Sequence, residues 1–174
     1  MVVIAIVAIT IISCYNPIMI PANENPKVTA WLSFLRGHSL VLQALETGMQ
    51  KEQHLPLTWF DVLASLYRAP DGRLRMHALA ESVFLSRSGL TRLLDRMIAA
   101  GVVERENCAE DRRGWQAIIT SKGREVIERV SPGHFRRVEE HFLSHLSQSD
   151  VQDLHRIMAK IIDANGGQHS SEKT

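Results

Sequence analysis

Arginines and small hydroxyl side chains recur within eleven residues near the middle of the chain. They are Ser86, Arg87, Ser88, Thr91, Arg92 and Arg96. The planar fork of arginine pairs bidentately with guanine or with phosphate, and serine and threonine hydroxyls bond to base edges. This set of side chains is therefore suited to binding nucleic acid rather than to making or breaking covalent bonds.

The apolar residues of the same stretch predict the element that carries these groups. Leu90, Leu93, Leu94, Met97 and Ile98 form one stripe of a 3.6-residue period, which predicts a helix with the arginines on its opposite face. Ser86 is the candidate N-cap of this helix, and a short helix is predicted over 77–83. Two helices joined in this way are typical of a helix-turn-helix, whose second helix enters the major groove. An amphipathic surface helix with solvated arginines is the alternative.

A predicted β-hairpin follows the two helices. Gly101 fits the left-handed position that ends a helix, and short strands are predicted over 102–106 and 115–120. The polar tip between them, 107–114, contains Asp111-Arg112-Arg113-Gly114. A hairpin with a basic tip can lie along the phosphate backbone or in the minor groove, and we call this hairpin the wing.

The order of these features resembles the MarR (multiple-antibiotic-resistance regulator) family of winged-helix transcription factors. The resemblance covers roughly residues 29–162. It rests on LAESVFLSRSGLTRLLDRM, the ER pair after the second helix, the DRRG of the wing and the following T-x-x-G-R-E. It implies a mainly α fold with a small β-hairpin wing, in which N- and C-terminal helices form a dimerisation domain around a winged helix-turn-helix.

The resemblance and the spacing of apolar residues together divide the chain. Residues 28–54 and 121–164 are predicted to be dimerisation helices, with a break or kink at Pro132-Gly133. Residues 55–120 form the predicted DNA-binding domain, whose first helix has Thr58 as its candidate N-cap, and 165–174 a disordered tail. A two-fold homodimer would hold two recognition helices about 34–36 Å apart and bind an inverted repeat in double-stranded DNA.

Helix geometry and the resemblance together assign the contacts with DNA. Five residues are expected to face the major groove, Arg96 to contact a phosphate, and Arg112 and Arg113 to contact DNA from the wing. The resemblance implies that Asp111 pairs with an arginine and braces the wing. The groove-facing five are Ser86, Arg87, Ser88, Thr91 and Arg92.

A small-molecule effector is a further expectation from the resemblance. Trp31, Trp59 and Asp61 are similar to residues of a urate-responsive subgroup, which suggests an anionic aromatic ligand between the dimerisation helices and the winged helix. The alternative is that both tryptophans pack in the core and that Asp61 pairs with an arginine.

Composition limits the remaining classes of function. Net charge is +1, but residues 68–124 hold eleven Lys/Arg against seven Asp/Glu, so the positive excess coincides with the predicted DNA face. Two cysteines exclude a disulfide framework, and Cys108 is a candidate for oxidation in the wing. His141 and His145 lack the HExxH pattern of a zinc protease. We find no motif of an enzyme, and no cofactor or metal is expected.

Residues 1–27 allow more than one interpretation. Residues 1–27 combine a charge-free apolar run with a proline-containing linker, and the run before Cys14 is short for a membrane span of about 20 residues. A mistaken start codon or a disordered extension of a cytoplasmic protein is the preferred interpretation. The alternative is a membrane-tethered winged helix that binds other proteins and not specific DNA.

Overall fold

A computed structural model describes residues 25–108 and 111–166, and for 108 and 111–113 it describes the backbone alone. The expected extension before residue 25 and the tail after 166 lie outside the described residues. The helices are α1 (Pro26–Gly48), α2 (Leu57–Arg68), α3 (Met76–Ser82), α4 (Arg87–Ala99), α5 (Ser121–His141) and α6 (Gln148–Ala164), and the strands are β1 (Arg73–Arg75), β2 (Val103–Cys108) and β3 (Asp111–Ile119). This confirms the predicted mainly α fold with a small β-hairpin.

Helix α1 begins two residues before the predicted boundary. Asn25 caps it by accepting a hydrogen bond from the Lys27 amide at 3.0 Å, and Pro26 occupies the first helical position, where its missing N–H costs nothing. Asn25 and Pro26 therefore start the helix and do not belong to the predicted linker. At its other end α1 continues into a π-helical turn, Met49–Gln53.

The core lies beneath the helix-turn-helix. Leu63 and Leu66 of α2 are fully buried, as are Leu79 of α3 and Leu90 and Met97 of α4. Val103 and Ala117 add the inner face of the sheet, and Ile127 and Val130 add one face of α5. Burial of each large side chain contributes about 1.5–3 kcal/mol, so this cluster fixes α4 against the rest of the domain.

The three strands form one antiparallel sheet in the order β1-β3-β2. Strands β2 and β3 are longer than predicted, because Asn107 and Cys108 continue β2, and β3 begins at Asp111. The predicted tip, 107–114, is therefore mostly strand. A register irregularity between Asn107 and Cys108 marks the point where the pairing shifts toward the tip.

One local prediction is wrong because a contact distant in sequence replaces the local signal. Helix α2 begins at Leu57 without a side-chain cap, and the carboxylate of Glu46 in α1 accepts the Leu57 amide at 3.0 Å. Thr58 is therefore not the N-cap. Pro132 lies within the continuous helix α5, so the predicted break is absent, and the alternative of a kink stays a prediction.

An arginine that the sequence did not single out joins α1 to α5. Arg137 is 4% exposed, pairs with Glu52 and donates from its guanidinium to the Gly133 carbonyl at 2.9 Å. Gly48 permits this packing, because a Cβ there would overlap the Arg137 side chain. Breaking such a pair by removing one partner is costly, since the remaining charge loses its compensation.

The terminal helices leave apolar side chains uncovered. No residue of α6 is buried within the described part of one chain, and its Ile157 and Ile161 are 43% and 51% exposed. Trp31 and Phe34 of α1 and Phe135 of α5 are also largely exposed. None of the helices in residues 25–108 and 111–166 is sufficiently long and apolar to cross a membrane.

Candidate nucleic-acid interface

Helix α4 separates its apolar and basic residues as the sequence predicted. Leu90, Leu93, Leu94 and Met97 are each at most 3% exposed. The exposed residues on the opposite side include Arg87, Ser88, Arg92 and Arg96. The bulk of the domain therefore lies behind α4, and its cations face solvent along one surface.

The hydroxyl groups of α4 also hold the helix itself. Ser86 accepts the Gly89 amide at 3.1 Å, which confirms it as the N-cap, and its hydroxyl lies 3.3 Å from that of Ser88. Thr91 donates its hydroxyl proton to the Arg87 carbonyl at 2.9 Å. In this arrangement Thr91 can offer a partner only lone pairs and its methyl group, because its single proton is already used.

The far end of α4 is tied to α5. Gly101 adopts a φ of +73°, and the Val102 amide donates to the Met97 carbonyl at 3.1 Å, which confirms the predicted left-handed helix end. Thr120 donates to the Gly101 carbonyl and Lys122 to the Ala100 carbonyl, each at 2.8 Å. These two bonds join the end of α4 to the beginning of α5.

The stem of the wing is braced on both faces. The Arg105 guanidinium lies 4.5 Å from the centroid of the Trp115 ring, a cation–π contact between neighbouring strands. On the other face, Glu106 accepts from Gln116 at 3.0 Å and lies 3.6 Å from the Arg73 guanidinium of β1. These contacts cross all three strands and brace the stem of the hairpin within the sheet.

The braced stem was missed in the sequence. The register pairs Glu106 with Gln116 and sets Arg105 diagonally across from Trp115, and the sequence alone does not give that register. The three predicted wing-tip side chains, Asp111, Arg112 and Arg113, lie outside the described side chains, as does Cys108. The predicted pairing of Asp111 with an arginine therefore stays a prediction.

The predicted effector residues do not form one cluster within a single chain. Asp61 and Trp59 lie on α2, and Asp61 is close enough to Glu46 of α1 to be influenced by its charge. Burial, reinforced by Glu46 and opposed by Arg68, raises the pKa of Asp61 to about 6. Trp31 precedes Glu46 by fifteen residues of helix, about 22 Å at 1.5 Å per residue.

The described residues contain no group of three His, Cys, Asp or Glu side chains that could hold a metal ion. His141 ends α5 and His145 lies in the following 3₁₀ turn, Leu143–His145.

Comparison with known proteins gives one family. The MarR family profile matches residues 55–114. AbsC, a MarR family regulator from Streptomyces coelicolor, is 33% identical with a TM-score of 0.75, over 80% of this chain and 94% of AbsC. Sco3205 of the same organism, a MarR family regulator solved in complex with DNA, is 33% identical with a TM-score of 0.74, over 82% of this chain and 88% of Sco3205.

A curated relative agrees over a shorter range. The HTH-type transcriptional repressor YetL of Bacillus subtilis is 33% identical over 79 residues, which are 45% of this chain and 47% of YetL, so the chain spans about half the length of this relative. The fold, the exposed cations of α4 and the extensive likeness to AbsC and Sco3205 lead to the same conclusion. The chain belongs to the MarR family of transcriptional regulators, which are DNA-binding proteins and not enzymes.

Proposed function

We propose that this protein is a repressor that binds an inverted-repeat operator as a homodimer and is released by a small molecule. One observation carries the DNA-binding part of the proposal. The apolar side of α4 is buried, so Arg87, Arg92 and Arg96 extend from the surface that a major groove would meet. The name of YetL, a repressor, supports repression as the outcome of binding.

The position of each residue along α4 determines the DNA contact that we propose for it. Residues near the N-terminus of α4 would meet base edges, and Arg96, two turns further along, would contact a phosphate. Arg112 and Arg113 would add phosphate or minor-groove contacts from the wing, with Asp111 bracing it. The proposed base-edge contacts are Ser86, Arg87, Ser88, Thr91 and Arg92.

A gel-shift titration with the DNA upstream of the protein's own gene tests specific binding. We expect retention at protein concentrations at least 10³-fold below those needed for unrelated DNA of the same length. A protein-interaction module without specific DNA binding would give the same weak binding to both. Such a module would also have no need for arginines on both α4 and the wing.

Two arginine variants separate the proposed roles. Arg113→Ala should weaken binding to operator and unrelated DNA alike and reduce the slope of log K against log [salt] by about 0.9, because one phosphate contact is lost. Arg92→Ala should in addition reduce discrimination between operator and point-mutated operators, at a cost of about 1–3 kcal/mol. An unchanged salt slope for Arg113→Ala would remove the wing from the proposal.

The homodimer is proposed from the uncovered apolar side chains of the terminal helices. Residues 28–54 and 121–164 would form the dimerisation domain and 55–120 the DNA-binding domain. Interdigitation of α1, α5 and α6 with a second copy would bury the exposed isoleucines of α6 and the aromatic residues of α1. A two-fold axis would then relate the two copies of α4.

The effector part of the proposal rests on α2. With a pKa of about 6, Asp61 can donate a hydrogen bond from its protonated form in mildly acidic solution, and the partly buried Trp59 offers a stacking surface. Trp31 would join this site only from the partner subunit, given its distance along α1. The neighbouring Glu46 disfavours a bound anion unless a cation accompanies it.

Tryptophan fluorescence tests the effector. Titration with urate or salicylate should quench Trp59 and release the operator, and Trp31→Phe should keep the Trp59 response. Titrations without quenching and without release would contradict this part of the proposal for those two ligands and leave the DNA-binding part unaffected.

A further inference from the structure

A phenylalanine occupies an unusual position in the turn before the recognition helix. Phe84 has a φ of +52°, in the left-handed region that L-residues with large side chains rarely adopt. The Phe84 amide donates to the Glu81 carbonyl at 3.2 Å, and the Leu85 amide donates to the Ala80 carbonyl at 3.0 Å. These two bonds define a Schellman motif at the end of α3, in which Phe84 holds the place that usually belongs to glycine.

The end of α4 provides an internal comparison. There the Gly101 amide donates to the Ile98 carbonyl at 2.8 Å and the Val102 amide to the Met97 carbonyl, so the same motif recurs with glycine at the left-handed position. Both motifs lie within one helix-turn-helix. At the left-handed position one has glycine, which adopts this conformation without strain, and the other has a bulky aromatic residue. A left-handed conformation in a residue other than glycine is unfavourable, so the fold alone gives no reason for an aromatic residue at position 84.

The ring of Phe84 does not contribute to the core either. Phe84 is 86% exposed, whereas the adjacent Leu85 packs against the core as the apolar contact of the motif. Exposure of one apolar residue is ordinary. The informative combination is a strained backbone, an uncovered ring and a place two residues before Ser86, the N-cap of the helix that carries the exposed arginines.

We propose that Phe84 is a specificity-determining residue whose ring packs against the C5-methyl group of a thymine in each half-site of the operator. The N-terminal end of a recognition helix meets base edges, and an aromatic ring against a thymine methyl is an established form of apolar base contact. The strain at Phe84 is retained because this turn must present an apolar surface to the major groove. The inference rests on the proposed function, since it requires operator binding.

Single thymine-to-uracil replacements in the operator test the contact, because uracil lacks only the methyl group. For the wild-type protein, replacing one particular thymine in each half-site by uracil should lower operator affinity. Removing one buried methyl group should cost about fourfold in affinity, or more than tenfold when both half-sites are changed. Phe84→Ala should bind the unmodified operator with a similar loss and should no longer respond to that uracil replacement. Phe84→Leu, which keeps an apolar side chain, should keep the sensitivity.

The glycine variant supplies a readout that a purely structural role would not give. Phe84→Gly removes the strained side chain and should leave the melting temperature unchanged or raise it by about 2 °C, although glycine is more flexible when unfolded. It should nevertheless lose operator affinity as Phe84→Ala does. A variant that is at least as stable as wild type and yet binds more weakly cannot owe its defect to misfolding.

The remaining outcomes are distinguishable. Wild-type affinity in Phe84→Ala would overturn the inference and leave the proposed function intact. Equal losses on operator and unrelated DNA, without uracil sensitivity, would overturn the base contact. Failure of the wild-type protein to prefer its operator would overturn the proposed function itself.

Discussion

Individual side chains in this protein serve both the fold and the exposed surface. Ser86 caps α4 and Thr91 donates to the helix backbone, yet both lie on the side of α4 proposed to meet DNA. Their orientations are fixed before any partner arrives, because the bonds within the helix already select a rotamer. Preorganisation of this kind reduces the entropy lost on binding.

Asp61 should make stability depend on pH. Its pKa of about 6 in the folded protein exceeds the ordinary 3.8, so the unfolded chain loses this proton first as pH rises. The free energy of unfolding should therefore fall between about pH 4 and pH 6, by at most about 3 kcal/mol, and the penalty should be complete above pH 6. Asp61→Asn should remove this fall, measured by urea unfolding at several pH values.

Glu46→Gln is the companion variant. It removes the neighbouring negative charge and keeps an acceptor for the Leu57 amide, so it should reduce the fall without abolishing it. If the free energy of unfolding changed in parallel for wild type and Asp61→Asn across this pH range, the pKa of Asp61 would not be raised.

At the scale of elements, the junction of α4 and α5 decides how the recognition helix is held. Thr120 caps α5 by accepting the Gly123 amide at 3.0 Å and also donates to the Gly101 carbonyl after α4. The two helix ends thus share one side chain. The chain can come this close only because Gly123 has no side chain.

Gly123→Ala should destabilise the protein by about 2 kcal/mol. An added Cβ would lie 2.1 Å from the Val102 carbonyl oxygen, a backbone atom that cannot move aside without shifting the end of α4. Thermal unfolding and operator affinity should both be affected. Ser121→Ala, two residues earlier and exposed, should change stability by less than about 0.5 kcal/mol, and equal effects of the two substitutions would contradict this account.

At the scale of the whole molecule, residues 25–108 and 111–166 leave apolar side chains of the terminal helices uncovered. The apolar residues of α6 repeat on one side, with Val151, Ile157, Ile161 and Ile162 exposed, and its capping box at Ser147 and Asp150 gives the helix a defined start without tertiary support. A surface of this kind on a small protein marks an interaction site.

Ile161→Glu should convert the proposed dimer to a monomer and reduce operator affinity by at least tenfold, because two half-sites would no longer be bound together. Analytical ultracentrifugation measures the first effect and gel shift the second. Gln152→Glu makes the same charge change on the opposite side of α6 and should leave both unchanged. A wild-type protein that sediments as a monomer at micromolar concentration would refute the dimer.

The local periodicity of the sequence predicted α4, its caps and the hairpin after it. It could not distinguish Arg136 from Arg137, which are adjacent and both reach Glu52. Their side chains are nevertheless 66% and 5% exposed. Only the packing of α5 against α1 makes one a surface cation and the other part of the interior.

The amino-acid sequence was enough to predict the elements whose signals are short in range: the leucine stripe of α4, Ser86 as its cap, Gly101 at a left-handed helix end, and the strands of the wing. These depend on hydrogen bonds and contacts within a few residues, which residue types alone specify. Only the folded chain shows that Glu46 of α1 satisfies the Leu57 amide at the start of α2, and that Phe84 is exposed beside α4. Each of these depends on which distant groups the folded chain brings together, or leaves uncovered, and no local pattern of residue types records that.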